Sequence, residues 1–307
     1  MIVLDGMSSD ETHRIIQEMQ KEHPNLLMLD NPGRVVSTGM NLAMQHAKGD
    51  IIIRVDGHCT IAPDYISRCE EHLSQDNVDG VGGPMQTIGE TPLARSIAIA
   101  MSSQFGVGNS AFRTTSGKTM LADTIPFPAY TRVIIEKVGP YDEELVRNQD
   151  DEYNYRIRSA GGRLLLAADV HSRYYSRASL SRLWRQFFQY GFYKVRVLQK
   201  HPAQMSPRQF APPLLAGGLM ASFLLGLFNP NGWMGFFSLG GIYLLFILAA
   251  SLLIAIRKGW KHLPLMPLCL FCMHLGYGLG FLAGLIKFWN RWGDKSTMVT
   301  QQEPSRD

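Results

Sequence analysis

Three short runs in this chain have the residue types and spacing that chemistry needs. In Ile53-Arg54-Val55-Asp56-Gly57-His58 an acid and an imidazole sit two apart behind a β-branched run. That pair can reach one divalent ion, with a diphosphate completing the shell. Mn2+ tolerates such a mixed O/N set, whereas Mg2+ prefers oxygen alone. A turn Asp followed by an unrelated His is the competing reading. In Asn148-Gln149-Asp150-Asp151-Glu152 three consecutive acids open a helix. Acids there complement the helix dipole, and Glu152 with Arg156 has the i, i+4 spacing of a surface ion pair. Asp150 falls at the cap, where a positioned carboxylate can act as general base toward a hydroxyl. In Val3-Leu4-Asp5-Gly6-Met7-Ser8-Ser9-Asp10 a strand delivers a carboxylate into a turn of small and hydroxyl residues. Such a carboxylate accepts hydrogen bonds from a base N–H or from ribose hydroxyls, while Ser9 or Asp10 caps the next helix.

Other runs are less specific. Trp184–Lys194 is aromatic and basic, fitting either an amphipathic interfacial helix or contacts to a diphosphate or lipid-linked sugar. Gly106–Ala111 fits G-x-G-x-x-A, but Ala98–Phe105 before it is not a strand, so a substrate loop is favoured over a dinucleotide site. Cys269 and Cys272 have C-x-x-C spacing in an apolar run without His, Asp or Glu partners, which argues against metal or redox use. His274 in the same run reads as a packing residue. Arg54 is read either as a phosphate contact or as a structural residue.

The elements that must position these residues follow from periodicity. Ile2–Leu4, Leu26–Leu29, Ile51–Val55 and Gly80–Gly83 read as strands; Asp10–Lys21, Thr38–Ala47 and Pro63–Leu73 read as helices. The β-α-β-α order predicts an α/β fold with a mostly parallel sheet, whose ligands bind at the carboxyl ends of strands. Asp5 and Asp56 both fall there. The chain has 307 residues, a net charge of +4, 46% hydrophobic residues and four Cys. Those values exclude a disordered chain and a disulfide scaffold, and argue against a nucleic-acid partner.

Charge is distributed unevenly. From Gln209 to Ile256, and again from Leu263 to Ile286, there is no Asp, Glu, Lys or Arg. Three membrane segments are expected, at 211–228, 232–256 and 263–286. Asn229-Pro230-Asn231 makes the first two a tight hairpin. Lys194, Arg196, Lys200 and Arg208 before the first, and Arg257, Lys258 and Lys261 after the second, put the large domain in the cytoplasm. The tail would then lie outside, yet it carries Lys287, Arg291 and Lys295. Either the last segment is re-entrant or the charge bias is weak there. So few ionisable groups within the spans speak against a transporter. The N-terminus has neither a basic region nor an apolar core, so no signal peptide is expected.

Taken in order, these pieces resemble the family 2 glycosyltransferases of the GT-A fold. The resemblance rests on the strand-end Asp5 and its Ser/Thr turn, then Asn31-Pro32-Gly33-Arg34, Asn41 and Ala47-Lys48-Gly49-Asp50. It continues through the Asp-x-Asp-like Asp56 and His58, Val138–Glu143, and the acid pair leading to Arg156 and Ala160-Gly161-Gly162. The chain looks most like the bacterial exopolysaccharide branch of succinoglycan type. The resemblance implies a GT-A domain over 1–205, a helical transmembrane region over 211–286 and a polar tail over 287–307. It implies nucleotide-sugar binding by Asp5, Arg34 and Asp56, and a divalent metal, Mn2+ or Mg2+, at Asp56 and His58. It assigns the base of an inverting displacement to Asp150, with Asp151 as the fallback. Gln186 and Tyr190 fall where processive relatives carry Gln-x-x-Arg-Trp; that motif is absent, so single-sugar addition is implied. His58 departs from the usual second Asp, and the family's first strand is expected ahead of Ile2. The implied partners are a UDP-sugar donor, a lipid-linked or polysaccharide-precursor acceptor, membrane lipid and other polysaccharide-assembly proteins. The implied location is the inner membrane, multi-pass, with the catalytic domain cytoplasmic. A silent transferase-like subunit is the alternative.

Overall fold

The computed structural model describes residues 1–108, 110–114 and 117–294. Asn109 of the Gly106–Ala111 run and Lys295 of the tail therefore lie outside the described residues. The first part runs β1 (Ile2–Asp5), α1 (Thr12–Glu22), β2 (Leu27–Asp30), α2 (Val36–His46), β3 (Ile51–Ile53), β4 (Cys59–Ile61), α3 (Tyr65–Gln75), β5 (Gly80–Gly82) and β6 (Met85–Ile88). It continues with α4 (Pro92–Met101), α5 (Gln104–Val107), α6 (Ala111–Thr114), β7 (Met120–Leu121), β8 (Ala129–Thr131), α7 (Arg132–Val138), α8 (Gln149–Ser159), β9 (Leu164–Leu166), β10 (Ser172–Tyr175) and α9 (Leu180–Lys200). Three apolar helices close it: α10 (Ala211–Gly226), α11 (Pro230–Lys258) and α12 (Met266–Lys287).

The strands form three sheets ordered β1-β2, β4-β10-β6 and β3-β8-β5-β9-β7. This is the α/β domain that the alternation predicts, but the pairing is mixed rather than mostly parallel. β1-β2, β6-β10 and β5-β9 pair in parallel, while β8 runs against both β3 and β5, and β7 runs against β9. β3 and β5, joined through α3, are thus parallel to each other across β8, which arrives without a crossover that would turn it the same way. β5 is buried throughout, and its glycines make the packing possible. A Cβ on Gly80 would lie 2.7 Å from Leu164, and one on Gly82 would lie 2.6 Å from the Pro126 carbonyl. β9 is three buried leucines, the pattern of a strand covered on both faces.

Two of the resemblance's motif positions are structural clamps. Asn41 accepts from the Tyr141 N–H at 2.7 Å and donates to the Tyr141 carbonyl at 3.0 Å. Arg132 donates to the carbonyls of Ala47 and Gly49 at 2.8 and 2.6 Å. Both contacts tie α2 and its exit turn to the segment around α7.

The apolar helices are not a separate body. Met266, Cys269, Leu270 and Met273 of α12 share one core with Ile97 and Met101 of α4, Phe187 of α9 and Val81 of β5. Pro207–Gly226, α11 and α12 are each long and apolar enough to cross a membrane, by length and composition. α10 and α11 form a hairpin whose turn is capped by Asn229, its side chain accepting from the Asn231 N–H at 2.9 Å. Phe223, Leu224, Phe228, Met234 and Phe237 leave the hairpin's outer part exposed and apolar.

α12 is placed differently. It runs parallel to α9, with Gly276, Gly280 and Gly284 against Trp184, Phe188 and Phe192. A Cβ on Gly280 would lie 2.0 Å from the Phe188 carbonyl oxygen, so only glycine permits this approach. Its far end returns to the sheet domain. Gln199 donates to the Phe288 carbonyl at 2.7 Å, and Arg196 reaches Asp294 at 3.0 Å and Glu144 at 2.8 Å. His274 is a packing residue, its ring 2.7 Å from the Phe105 carbonyl and 3.2 Å from the Tyr243 hydroxyl.

Candidate active site

A single cavity of about 2410 Å³ connects the chemistry-bearing runs. It is lined by β1 and β3, by the α4–α6 segment, by the start of α8, and by α9 to α12. β1 pairs only with β2, and β3 only with β8, among the described residues. Each presents its other edge to this cavity.

The centre of the site is an arginine. Arg54 follows β3 and is buried, with its guanidinium between two carboxylates. It donates from Nε to Asp56 Oδ1 at 2.9 Å, and its Nη2 lies 2.7 Å from the same oxygen. Its Nη1 donates to Asp150 Oδ1, bridging 96 residues of chain. Burial opposes the charge on Arg54, but Asp150 and Asp56 hold it protonated. With these donors engaged, Arg54 clamps the two acids to each other.

Asp150 is the second residue of α8, two positions past the cap expected for it, because Asn148 takes the left-handed cap conformation. The protein walls crowd its carboxyl and raise its pKa above the ordinary value, with Arg54 opposing and Asp56 and Asp151 adding. The side chain still keeps 43% of its surface open, toward the cavity. The other two acids do different work. Asp151 pairs with Lys194, which is buried on α9. Glu152 is fully buried between Arg156 at 2.6 Å and His201 at 2.9 Å, so the expected surface pair is an interior one.

Asp56 Oδ1 is taken by Arg54, whereas Oδ2 makes no hydrogen bond among the described residues. The Asp56–Cys59 turn is closed by the Cys59 N–H to the Asp56 carbonyl at 3.1 Å, which brings His58 beside it. The His58 ring stands edge-on to Tyr174 at 5.0 Å. Burial holds its pKa down, with Asp56 opposing and Arg177, Arg147 and Arg54 adding, which favours the neutral imidazole and its lone pair. One free carboxylate oxygen and one neutral imidazole fit a divalent ion whose remaining ligands come from a diphosphate.

Asp5 ends β1, where its carboxylate accepts the Ser8 N–H at 3.0 Å and the Ser8 hydroxyl at 2.5 Å. Those bonds lower its pKa, burial opposes them, and His13 adds to the lowering. The parallel register sets Asp5 opposite Asp30, and His13 of α1 lies 3.8 and 3.9 Å from the two. Ligand atoms of these three residues lie within 4.8 Å of one another and could hold a metal ion. Sequence reasoning missed this cluster; the signal was available in two strands that both end in Asp. Arg34 follows β2 in the left-handed region and lines the cavity with its side chain exposed. Gln186 and Tyr190 meet on α9, the amide donating to the Tyr190 hydroxyl at 2.8 Å and to Tyr174 at 3.3 Å. The structure thus gathers Arg34, Asp56, His58, Asp150, Asp151, Gln186 and Tyr190 around one cavity. Asp5 stands behind its Gly6 margin, with Gly6 but not Asp5 in the lining.

Known proteins resemble this chain over most of its length. Residues 1–138 match the family model described as Glycosyl transferase family 2. The chain is 31% identical over 300 residues to the succinoglycan biosynthesis protein ExoA of Rhizobium meliloti (strain 1021), covering 95% of this chain and 87% of that one. It is 25% identical over 295 residues to a dolichyl N-acetyl-alpha-D-glucosaminyl phosphate 3-beta-D-2,3-diacetamido-2,3-dideoxy-beta-D-glucuronosyltransferase of Methanococcus voltae, covering 94% and 87%. Among solved structures, S. aureus TarS 1-349 superposes with a TM-score of 0.43 at 15% identity, covering 92% of this chain and 80% of that one. The chain belongs to glycosyl transferase family 2 and is a glycosyltransferase.

Proposed function

We propose that the chain is an inverting transferase that moves one sugar from a nucleotide-diphosphate donor, a UDP-sugar, to a lipid-linked acceptor. The observation that carries this reading is the Arg54 bridge, which holds a metal-type carboxylate and a base-type carboxylate in one cavity that also reaches α10, α11 and α12. Asp5 and Arg34 are assigned to the nucleotide. Asp56 and His58 would hold Mn2+ or Mg2+, which supplies charge neutralisation to the departing diphosphate. Asp150 takes the proton of the acceptor hydroxyl as its oxygen attacks the anomeric carbon. The bond from that carbon to the diphosphate oxygen breaks with inversion, and the nucleoside diphosphate leaves with the electron pair. The raised pKa of Asp150 favours this role, because a base near the working pH accepts a proton more readily. Gln186 and Tyr190 line the acceptor side.

The proposed organisation is a transferase domain over 1–205, a membrane region over 211–286 and a tail beyond, anchored in the inner membrane with the transferase domain cytoplasmic. The hairpin α10–α11 crosses and returns, and α12 lies at the interface beside α9. That reading brings Arg208, Lys258, Lys261 and Arg291 to one side, which removes the charge conflict of a third crossing. The test is UDP release by membranes containing the full chain, given UDP-sugars, Mn2+ and a membrane-lipid extract. Release that depends on both metal and lipid extract is expected. Absence of release across a panel of UDP-sugars would contradict the assignment.

A further inference from the structure

The cavity carries an excess of positive charge that its own acids do not balance. Nine Lys and Arg side chains line it against four Asp. All four carboxylates are engaged: Asp56 and Asp150 by Arg54, Asp151 by Lys194, and Asp123 by Arg158 at 3.3 Å. Arg34, Lys48, Arg113, Arg147, Arg177 and Arg208 remain, each lining the cavity and none within 4.0 Å of a carboxylate among the described residues. Among the described residues the Arg113 guanidinium donates only to the Thr87 hydroxyl, at 3.2 Å, and it lies over the rings of Phe112 and Tyr174. Burial pushes its pKa down, as for a cation still waiting for its counter-charge. Among the described residues the Arg147 guanidinium donates only to the amide oxygen of Gln189, at 3.1 Å.

Three of these arginines cluster beside the metal-type pair. Tyr174 touches both His58 and Arg113, and Arg147 and Arg177 are near enough to His58 to act on its charge. The three guanidiniums therefore lie on the His58–Tyr174 side of the cavity. A UDP-sugar brings two negative charges in its diphosphate, and a divalent ion at Asp56 and His58 neutralises those. A second anion is needed to match the arginines. Beyond them the cavity wall turns apolar, through Phe105, Leu215, Tyr243, Phe246 and Met273, and Arg208 stands where α10 begins.

We infer that Arg113, Arg147 and Arg177 bind the phosphate or diphosphate of a polyprenyl-type lipid that carries the acceptor sugar, with its hydrocarbon chain leaving along Phe246, Tyr243 and Leu215. This rests on the transfer reading above and names how its acceptor is held. Guanidiniums bind phosphate bidentately and keep their charge at all working pH values, which suits a site that must hold an anionic headgroup at a membrane surface. The acceptor hydroxyl is then presented to Asp150 one or two sugars away from the anchored phosphate.

The test is equilibrium binding to the full chain in detergent, with farnesyl diphosphate, farnesol, inorganic diphosphate and Mn2+–UDP as separate probes. Farnesyl diphosphate is expected to bind, and farnesol and inorganic diphosphate to bind about tenfold more weakly or worse, because each lacks half of the recognised chemistry. Arg113→Gln with Arg177→Gln should weaken farnesyl diphosphate about tenfold or more while Mn2+–UDP affinity stays within about twofold. Arg177→Lys should lose less, since the charge remains while the fork is lost. Equal binding of farnesol would overturn the anion site, and equal binding of inorganic diphosphate would overturn the lipid. Loss of UDP binding with farnesyl diphosphate retained would reassign the arginines to the donor and overturn the inference. Failure of the transfer reading is separate: it would appear as no UDP release, whatever farnesyl diphosphate does.

Discussion

Asp150, Asp151 and Glu152 are adjacent in sequence and do three different things. Helix geometry turns successive side chains by about 100°, so one faces the Arg54 clamp, the next reaches Lys194, and the third enters the core with Arg156 and His201. Substitutions should separate these roles. Asp151→Asn leaves a buried Lys194 without its carboxylate, so its effect should be a lowered melting temperature with any surviving enzyme turning over normally. Arg54→Gln removes the one cation between Asp56 and Asp150, and activity should fall by about 10²-fold or more because both carboxylates lose their orientation. Turnover should also fall at low pH through a limb lying above the ordinary aspartate value of about 3.9, since only ionised Asp150 can take a proton. A limb at or below that value in a pH–rate profile would remove Asp150 as the group being titrated. The placement of Asp56 after a strand and of Asp150 at a helix start was legible in the sequence, because each follows or opens a regular element. The Arg54 bridge was not legible, because nothing local links residues 96 apart.

At the scale of elements, periodicity found β1, β2, β3, α1, α2 and α3 within a few residues, because their apolar faces are regular. The small sheet β4-β10-β6 escaped it: Ser172-Arg173-Tyr174-Tyr175 alternates burial without an aliphatic run. The glycine spacing on α12 also passed unread, though Gly276, Gly280 and Gly284 recur every four residues on the face that meets α9. Gly280→Leu should prevent that approach and lower the melting temperature in detergent, or the yield of folded protein, by a cost on the order of 3 kcal/mol. An unchanged melt would contradict the packing described. A second element-level contact responds to pH. His72 of α3 lies 2.7 Å from Asp76 and 2.8 Å from Asp169; burial opposes its charge, but those carboxylates raise its pKa overall. A raised imidazole contributes stability below its unfolded value of about 6.5 and loses that contribution as pH rises through the folded value. Because both carboxylates are more than a third exposed, His72→Gln should cost about 1 kcal/mol at most at pH 5.5 and less at pH 8.5. Melting curves at the two pH values test the sign.

For the whole molecule, the division into a charged part and an apolar part was plain in the sequence, but their relation was not. Hydropathy reads three equivalent spans, whereas the folded chain buries much of α12 against α9 and α4 and returns its end to Glu144 and Arg196. An apolar helix packed on a protein surface and one crossing a bilayer have the same composition, and only the tertiary contacts separate them. Accessibility of single cysteines should therefore put Asn231→Cys on the side opposite Lys258→Cys and Gly293→Cys. Labelling of Gly293→Cys together with Asn231→Cys would make α12 a crossing. On the proposed reading, the cavity joining the two parts sets a family 2 transferase domain beside lipid, and its chemistry rests on Asp150. The most direct measurement is UDP release by Asp150→Asn in membranes, run beside Mn2+–UDP binding to the same variant. The account predicts turnover reduced by about 10²- to 10⁴-fold with UDP affinity essentially unchanged. Turnover near that of the unsubstituted chain, with the protein folded and UDP bound, would contradict it.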